Sequence, residues 1–150
     1  MTRVEKSIEI KAQPEKVWEM LAFDRVIEWE EGYKGDFESV EYTSKVHSLK
    51  DKYKLGASAH GIPKKQEKCD LEITESLENK KITYLLTDRS RVLVTYILEP
   101  VEEGTKFTYV VEYKMPWSIL GKLLENLFFR RQLEKVWEKS LDNLKSILEK

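Results

Sequence analysis

Strand-like alternation fills the centre of this 150-residue chain, and helical spacing marks its two ends. The opening segment places Val4, Ile8 and Ile10 on one face of a strand and runs directly into a short helical pattern. The closing segment, roughly residues 117–150, has helical spacing throughout. About six further strand-like runs lie between them, and their short connections require antiparallel neighbours. We therefore predict an α+β fold, in which a curved antiparallel sheet of about seven strands wraps around a long C-terminal helix.

Two short helices are predicted after the first strand. Pro14 stands where a first helical turn would begin, and its fixed φ suits that position. Val17 and Leu21 follow at helical spacing. Asp24 is placed to cap the second helix, and the run 30–35, Glu-Glu-Gly-Tyr-Lys-Gly, is expected to end it.

The central strands are predicted from their period-two alternation. Residues 53–61 form a weaker strand, and a turn is expected at residues 62–65. Four residues of the next strand are expected to share its apolar face, namely Cys69, Leu71, Ile73 and Leu77. Two later strands each place aromatic and aliphatic side chains on one face, namely Val92, Val94, Tyr96 and Leu98, then Phe107, Tyr109, Val111 and Tyr113.

Composition narrows the class of protein. The length fits one domain over residues 1–150. A formal net charge of −1, from 26 basic and 27 acidic residues, gives no electrostatic reason to expect nucleic acid as a partner. Cys69 is the single cysteine, so no disulfide can form within the chain. No apolar stretch has the length of a membrane span, and no signal-peptide pattern opens the chain. We expect a soluble cytoplasmic protein without integral membrane association.

The pattern Ile8-x-Ile10-x-Ala12-x-Pro14-x-x-Val17-Trp18-x-x-Leu21 resembles the N-terminal signature of the START-related superfamily. This superfamily includes the major birch pollen allergen and the bacterial polyketide cyclase/dehydrase and lipid-transport proteins. Leu141-x-x-Leu144-Lys145-x-x-Leu148-Glu149 is similar to its C-terminal helix, so the resemblance spans essentially the whole chain. It implies a helix-grip fold with a deep apolar cavity between sheet and helix.

Inward tyrosines need partners for their hydroxyl groups, which a cavity holding water or a polar ligand group would supply. Arg131 either pairs with Glu134 or reaches into the cavity to bind an acceptor on an apolar ligand. The predicted ligand-binding residues are Tyr96, Tyr109, Tyr113, Leu120, Leu124, Leu127, Phe128 and Arg131. The expected cavity entrance comprises Trp29, Tyr33 and Trp117, for which the alternative is simple packing onto the body of the domain.

Three functions fit these expectations. The first is a carrier that sequesters a lipid, quinone or polyketide-like molecule. The second is a cyclase- or dehydratase-type enzyme using the same cavity, with Glu75, Glu112 and His60 as conceivable bases. Catalysis is the less favoured interpretation, because no motif singles out a catalytic residue. The third is a co-chaperone-like interaction module, or a homodimer, using the stripe of Phe129, Leu133, Val136 and Ile147. No metal-ligand spacing or phosphate loop occurs, so no cofactor is predicted.

Overall fold

A computed structural model of the chain describes residues 2–31, 37–43, 46–63, 69–87, 91–113 and 127–150. Its helices are α1 (Pro14–Glu19), α2 (Phe23–Trp29) and α3 (Leu127–Leu148), and a 3₁₀ turn covers Lys50–Tyr53. Its strands are β1 (Thr2–Ile10), β2 (Phe37–Tyr42), β3 (Ser58–Pro63), β4 (Cys69–Leu77), β5 (Lys81–Thr87), β6 (Arg91–Val101) and β7 (Gly104–Tyr113).

The described strands form one antiparallel, curved, open sheet in the order β1-β7-β6-β5-β4-β3-β2. Consecutive strands from β2 to β7 are neighbours, as their short connections require. β1 pairs with β7, so β1 and β2 lie at opposite edges and α1 and α2 span the distance between them. The predicted α+β class, with two short helices after the first strand and a long C-terminal helix, is confirmed.

One face of the sheet, which we call the inner face, packs against the helices. In the paired strands β5, β6 and β7 it carries buried Tyr84, Tyr96 and Tyr109 among aliphatic residues. α3 contacts β1 and α2, and it buries an apolar stripe of Trp137, Leu141 and Leu144 at helical spacing. The sheet and the two helices α2 and α3 therefore enclose the region where the inward tyrosines meet.

The capping role predicted for Asp24 is wrong. Ala22 occupies the N-cap position of α2, and no side chain caps the helix. Asp24 lies in the first turn, where its carboxylate accepts hydrogen bonds from the Tyr42 hydroxyl at 2.7 Å and from the Lys52 ammonium at 3.2 Å. Asp24 thus ties α2 to β2 and to the 3₁₀ turn.

The sheet differs from the prediction at three further places. A β-bulge between Ile73 and Glu75 reverses the facing of β4, so Leu77 is 53% exposed while Ile73 is fully buried. The expected strand at 53–61 begins only at Ser58, and it continues through Pro63, where a turn was expected. Of the long C-terminal segment predicted from residue 117, residues 114–126 lie outside the described ranges.

Gly104 begins β7 where the chain approaches the end of β1 closely. A Cβ atom at this position would overlap the backbone oxygen of Ile10. Gly104→Ala should therefore lower the free energy of unfolding by about 3 kcal/mol, because a backbone oxygen held in the sheet cannot easily move aside. Urea denaturation checks this. The neighbouring Glu103→Ala variant is the control, since Glu103 is exposed and its change should stay within about 0.5 kcal/mol; equal effects would contradict the steric account.

Candidate functional site

A buried carboxyl group lies at the point where α2 ends. Glu30 is the C-cap residue of α2, and its extended backbone turns the side chain out of the helix. The residue is only 2% exposed, although glutamate is almost never fully buried without partners. Glu30 was expected only to help end the second helix, so its burial beside polar partners is a feature that sequence reasoning missed.

Hydroxyl groups from the sheet and from α3 surround this carboxyl. The Tyr96 hydroxyl donates to Oε2 of Glu30 at 3.1 Å, and the Tyr109 hydroxyl bonds to the same carboxyl. Oγ of Ser140, a fully buried residue of α3, lies 2.8 Å from Oε1. We call Glu30, Tyr96, Tyr109 and Ser140 the Glu30 cluster. It joins three elements of the fold through residues that lie far apart in the sequence.

The geometry at Ser140 fits a protonated Glu30. Oγ of Ser140 accepts the Glu31 backbone N–H at 2.8 Å and lies 2.9 Å from the Val136 carbonyl oxygen, an acceptor. A hydroxyl has one proton, so Ser140 cannot donate fully to both Val136 and Glu30. A protonated Glu30 resolves this, because its O–H can donate to Ser140 while Ser140 donates to Val136.

Burial is also the main reason for a raised pKa of the Glu30 carboxyl. Hydrogen bonds from Ser140, Tyr109 and Tyr96 act in the opposite direction, and the nearby charge of Glu31 raises the pKa further. The net direction is upward, so the neutral acid persists above its ordinary pH range. A neutral carboxyl can donate a hydrogen bond, or a proton, to an acceptor that enters this region.

Aromatic rings make an apolar wall around the Glu30 cluster. The centroid of the Tyr96 ring lies 5.4 Å from that of Tyr109, 5.5 Å from that of Phe107 and 5.7 Å from that of Tyr84. Trp29 is fully buried against Tyr96 and Phe107, and its indole N–H donates to the Met20 carbonyl oxygen. Trp29 therefore packs within the body of the fold, which was the alternative to its predicted place at the cavity entrance.

The structure brings together two of the predicted ligand-binding residues, Tyr96 and Tyr109, and buries both on the inner face. The backbones of Tyr113, Leu127, Phe128 and Arg131 lie in β7 and α3, but their side chains are outside the described part of the structure. Leu120, Leu124, Tyr33 and Trp117 lie outside the described residues altogether. The roles given to these eight residues stay predictions.

The three conceivable bases lie away from the Glu30 cluster. Glu75 forms an ion pair with Lys81 and Glu112 with Arg3, and His60 is hydrogen-bonded to Asp70. All three lie on the outer, exposed side of the sheet. His60 is thus a surface histidine. Unlike these three residues, Glu30 is buried and faces the inner side.

A separate groove on the surface is the competing place for an apolar molecule. It has a volume of about 590 Å³ and is lined by the stacked rings of Trp18 and Tyr53 together with Leu49 and Leu55. Both leucines are strongly exposed, at 67% and 69%. Experiments on binding must therefore distinguish the inner face from this groove.

Within the described ranges, no group of three or more His, Cys, Asp or Glu residues is arranged to hold a metal ion. No helix among the described residues has the length and apolar character needed to cross a membrane.

Comparison with protein families gives a match over residues 1–149 to the model described as polyketide cyclase/dehydrase and lipid transport. Among solved structures, protein MLL2253 from Mesorhizobium loti superposes with a TM-score of 0.70 at 17% identity, covering 99% of this chain and 97% of the other. The Aha1 dimer from Colwellia psychrerythraea gives 0.68 at 19% identity, with 99% and 97% covered.

A third structure is DynU16, a protein from the dynemicin biosynthetic locus. It gives a TM-score of 0.65 at 18% identity, covering 98% of this chain and 47% of that one. The comparison with curated proteins found no match. At these identities the solved structures bear on the fold alone.

Proposed function

Because this chain belongs to the polyketide cyclase/dehydrase and lipid transport family, we propose that it binds one apolar or amphipathic small molecule between the sheet and α3. It would act as a carrier or sequestering protein for a lipid, quinone or polyketide-like molecule. The observation that carries the proposal is the Glu30 cluster, a polar group set among aromatic rings on the inner face. A few polar anchors in an apolar surrounding are the usual pattern of small-molecule sites.

The chemistry of the inner face supports an apolar ligand with a small polar part. Tyr84, Tyr96, Phe107 and Tyr109 offer ring surface, whose burial against a ligand contributes about 25 cal/mol per Å². The Glu30 carboxyl and the tyrosine hydroxyls offer hydrogen bonds. Leu127, Phe128 and Arg131 on α3 are proposed to complete the site, with Arg131 as a second polar anchor.

Native mass spectrometry of the purified protein, followed by organic extraction, tests this function. We expect one bound molecule per chain, either co-purified or added as diphenylhexatriene, an apolar fluorescent probe. Extraction would identify the class of a co-purified ligand. A protein that carries nothing and does not bind diphenylhexatriene would contradict the proposal.

A second candidate function is favoured by the neutral state of Glu30. A buried neutral carboxyl can protonate a carbonyl oxygen while a carbon nucleophile adds to the carbonyl carbon, which is the acid step of a cyclisation. If the nucleophile is the enol of a second ketone, its hydroxyl loses a proton as the carbon–carbon bond forms, and the Glu30 carboxylate takes up that proton. Glu30→Gln separates the two functions, because it keeps the shape and hydrogen bonds but cannot transfer the proton. Turnover of a poly-ketone substrate that survives Glu30→Gln would remove this candidate.

A homodimer is a further proposal about partners. The solved Aha1 relative is a dimer, and on α3 of this chain Ile147 is 37% exposed. Val136 and Ile147 belong to the stripe that we propose as the contact. Light scattering with the Ile147→Glu variant tests it, and a monomer at all concentrations for the wild type would contradict it.

A further inference from the structure

We propose that Tyr84 is a ligand-recognising residue, whose hydroxyl group donates a hydrogen bond to an uncharged acceptor, such as a carbonyl oxygen, on an otherwise apolar ligand. This inference rests on the proposed function and adds the chemistry of the ligand to it. It depends on one unusual feature of the inner face, a hydroxyl that is buried without a partner.

Tyr84 lies on β5 and is 3% exposed. Its hydroxyl oxygen is sealed from solvent and has no hydrogen-bond partner within the part of the chain that the structure describes. A buried polar group without a partner destabilises the folded state, so native proteins rarely contain one. Phenylalanine would fill the same space without this cost. The Tyr84 hydroxyl therefore does not stabilise the empty protein, and its presence is better explained by a role in ligand binding.

The position of Tyr84 supplies that reason. Its ring lies 5.7 Å from the ring of Tyr96, which in turn bonds to Glu30. Tyr84 thus continues the row of tyrosines that leads from the Glu30 cluster along the inner face. On its other side, the ring of Phe23 from α2 covers it at a centroid distance of 4.5 Å.

The donors along this row limit the kind of ligand. The Tyr84 hydroxyl and a protonated Glu30 are both uncharged donors, and the Tyr84 ring lies against the rings of Phe23 and Tyr96. An anionic head group beside the Tyr84 hydroxyl would lose its hydration, and the nearby Asp24 carboxylate would repel it. An apolar molecule with a carbonyl or similar neutral acceptor fits both donors.

The test compares two neutral apolar probes with wild-type protein and Tyr84→Phe. Nile red carries a carbonyl acceptor, and diphenylhexatriene has no hydrogen-bonding group. We expect Tyr84→Phe to weaken Nile red binding about 3- to 10-fold, the size of one neutral hydrogen bond, and to leave diphenylhexatriene binding unchanged. We also expect the empty variant to melt about 2–4 °C higher, because it loses the unpartnered hydroxyl.

Tyr53→Phe is the matched control. The Tyr53 hydroxyl has a partner, the Glu19 carbonyl oxygen, and its ring lines the surface groove. Tyr53→Phe should leave the affinities for Nile red and for diphenylhexatriene unchanged, and it should not raise the melting temperature. The inference is overturned if Tyr84→Phe lowers the melting temperature, or if Nile red binding is unchanged while diphenylhexatriene still binds. If neither probe binds the wild type, both the inference and the proposed function fail.

Discussion

Replacing Trp29 with alanine is expected to lower the free energy of unfolding by about 3–5 kcal/mol. The indole is fully buried, contacts the rings of Tyr96 and Phe107, and donates a hydrogen bond to the Met20 carbonyl oxygen. Its removal leaves a cavity beside the Glu30 cluster and an orphaned carbonyl. Because Trp29 immediately precedes Glu30, the loss should also weaken ligand binding.

Urea denaturation at neutral pH measures the effect on stability. Leu49→Ala is the control, because Leu49 is 67% exposed and its truncation should stay within about 0.5 kcal/mol. A loss at Trp29 no larger than that at Leu49 would show that the end of α2 is not packed as described.

Substitutions of Glu30 are expected to have the second large effect on the free energy of unfolding. Whether the protein is stabilised or destabilised depends on the residue that replaces the glutamate. Glu30→Ala removes the acceptor of the Tyr96 hydroxyl and the donor to Oγ of Ser140, at a cost of about 1–3 kcal/mol. Glu30→Gln has nearly the shape of the protonated acid and keeps an acceptor and a donor. It should therefore be close to neutral in acid and more stable than the wild type as the pH rises.

The pH dependence follows from the raised pKa. Above the ordinary glutamate pKa of 4.5, Glu30 ionises in the unfolded chain before it ionises in the folded protein. The unfolded state then binds fewer protons, so this group's contribution to stability falls as the pH rises toward the folded pKa. Glutamine does not titrate. The stability of Glu30→Gln relative to wild type should therefore be constant below about pH 4.5 and should rise above it.

Glu149→Gln is the control, because its stability relative to wild type is expected to change with pH in the opposite direction. The Lys11 backbone N–H and the Lys145 ammonium hold the pKa of Glu149 below its ordinary value. The wild-type carboxylate stabilises the fold above the unfolded pKa, and the benefit disappears as the pH falls through the folded pKa. The stability of Glu149→Gln relative to wild type should thus fall as the pH rises. Denaturation curves from about pH 2.5 to 8 measure both, because the Glu149 effect lies mostly below pH 4.5 and the Glu30 effect above it. Parallel curves for the two variants would contradict a neutral buried Glu30.

Local patterns in the sequence were sufficient for the fold. Alternation placed Tyr96 and Tyr109 on one face, and Pro14 marked the start of α1, as the structure has them. Patterns of this kind need only neighbours along the chain. The bulge before Glu75 could not be seen in this way, because one extra residue in a strand changes no local propensity yet reverses the facing of Leu77.

The Glu30 cluster was missed for a similar reason. Its hydrogen bonds join Glu30 to Tyr96 and Ser140, 66 and 110 residues away, so no local pattern announces them. Two signals were available in the sequence. The inward tyrosines needed partners for their hydroxyls, and Ser140 interrupts the apolar stripe of α3 between Trp137 and Leu144. Buried polar side chains on different helices and strands form hydrogen bonds with each other. A buried polar residue predicted on one element therefore indicates a polar partner on another.

The most direct test of binding on the inner face is an NMR titration with tyrosine rings labelled in ¹³C. Diphenylhexatriene would be added to the protein while the resonances of Tyr84, Tyr96, Tyr109 and Tyr53 are followed. We expect the first three to shift together and to saturate at one probe per chain, with Tyr53 unchanged. A shift at Tyr53 alone would place the probe in the surface groove and would contradict a ligand site between the sheet and α3.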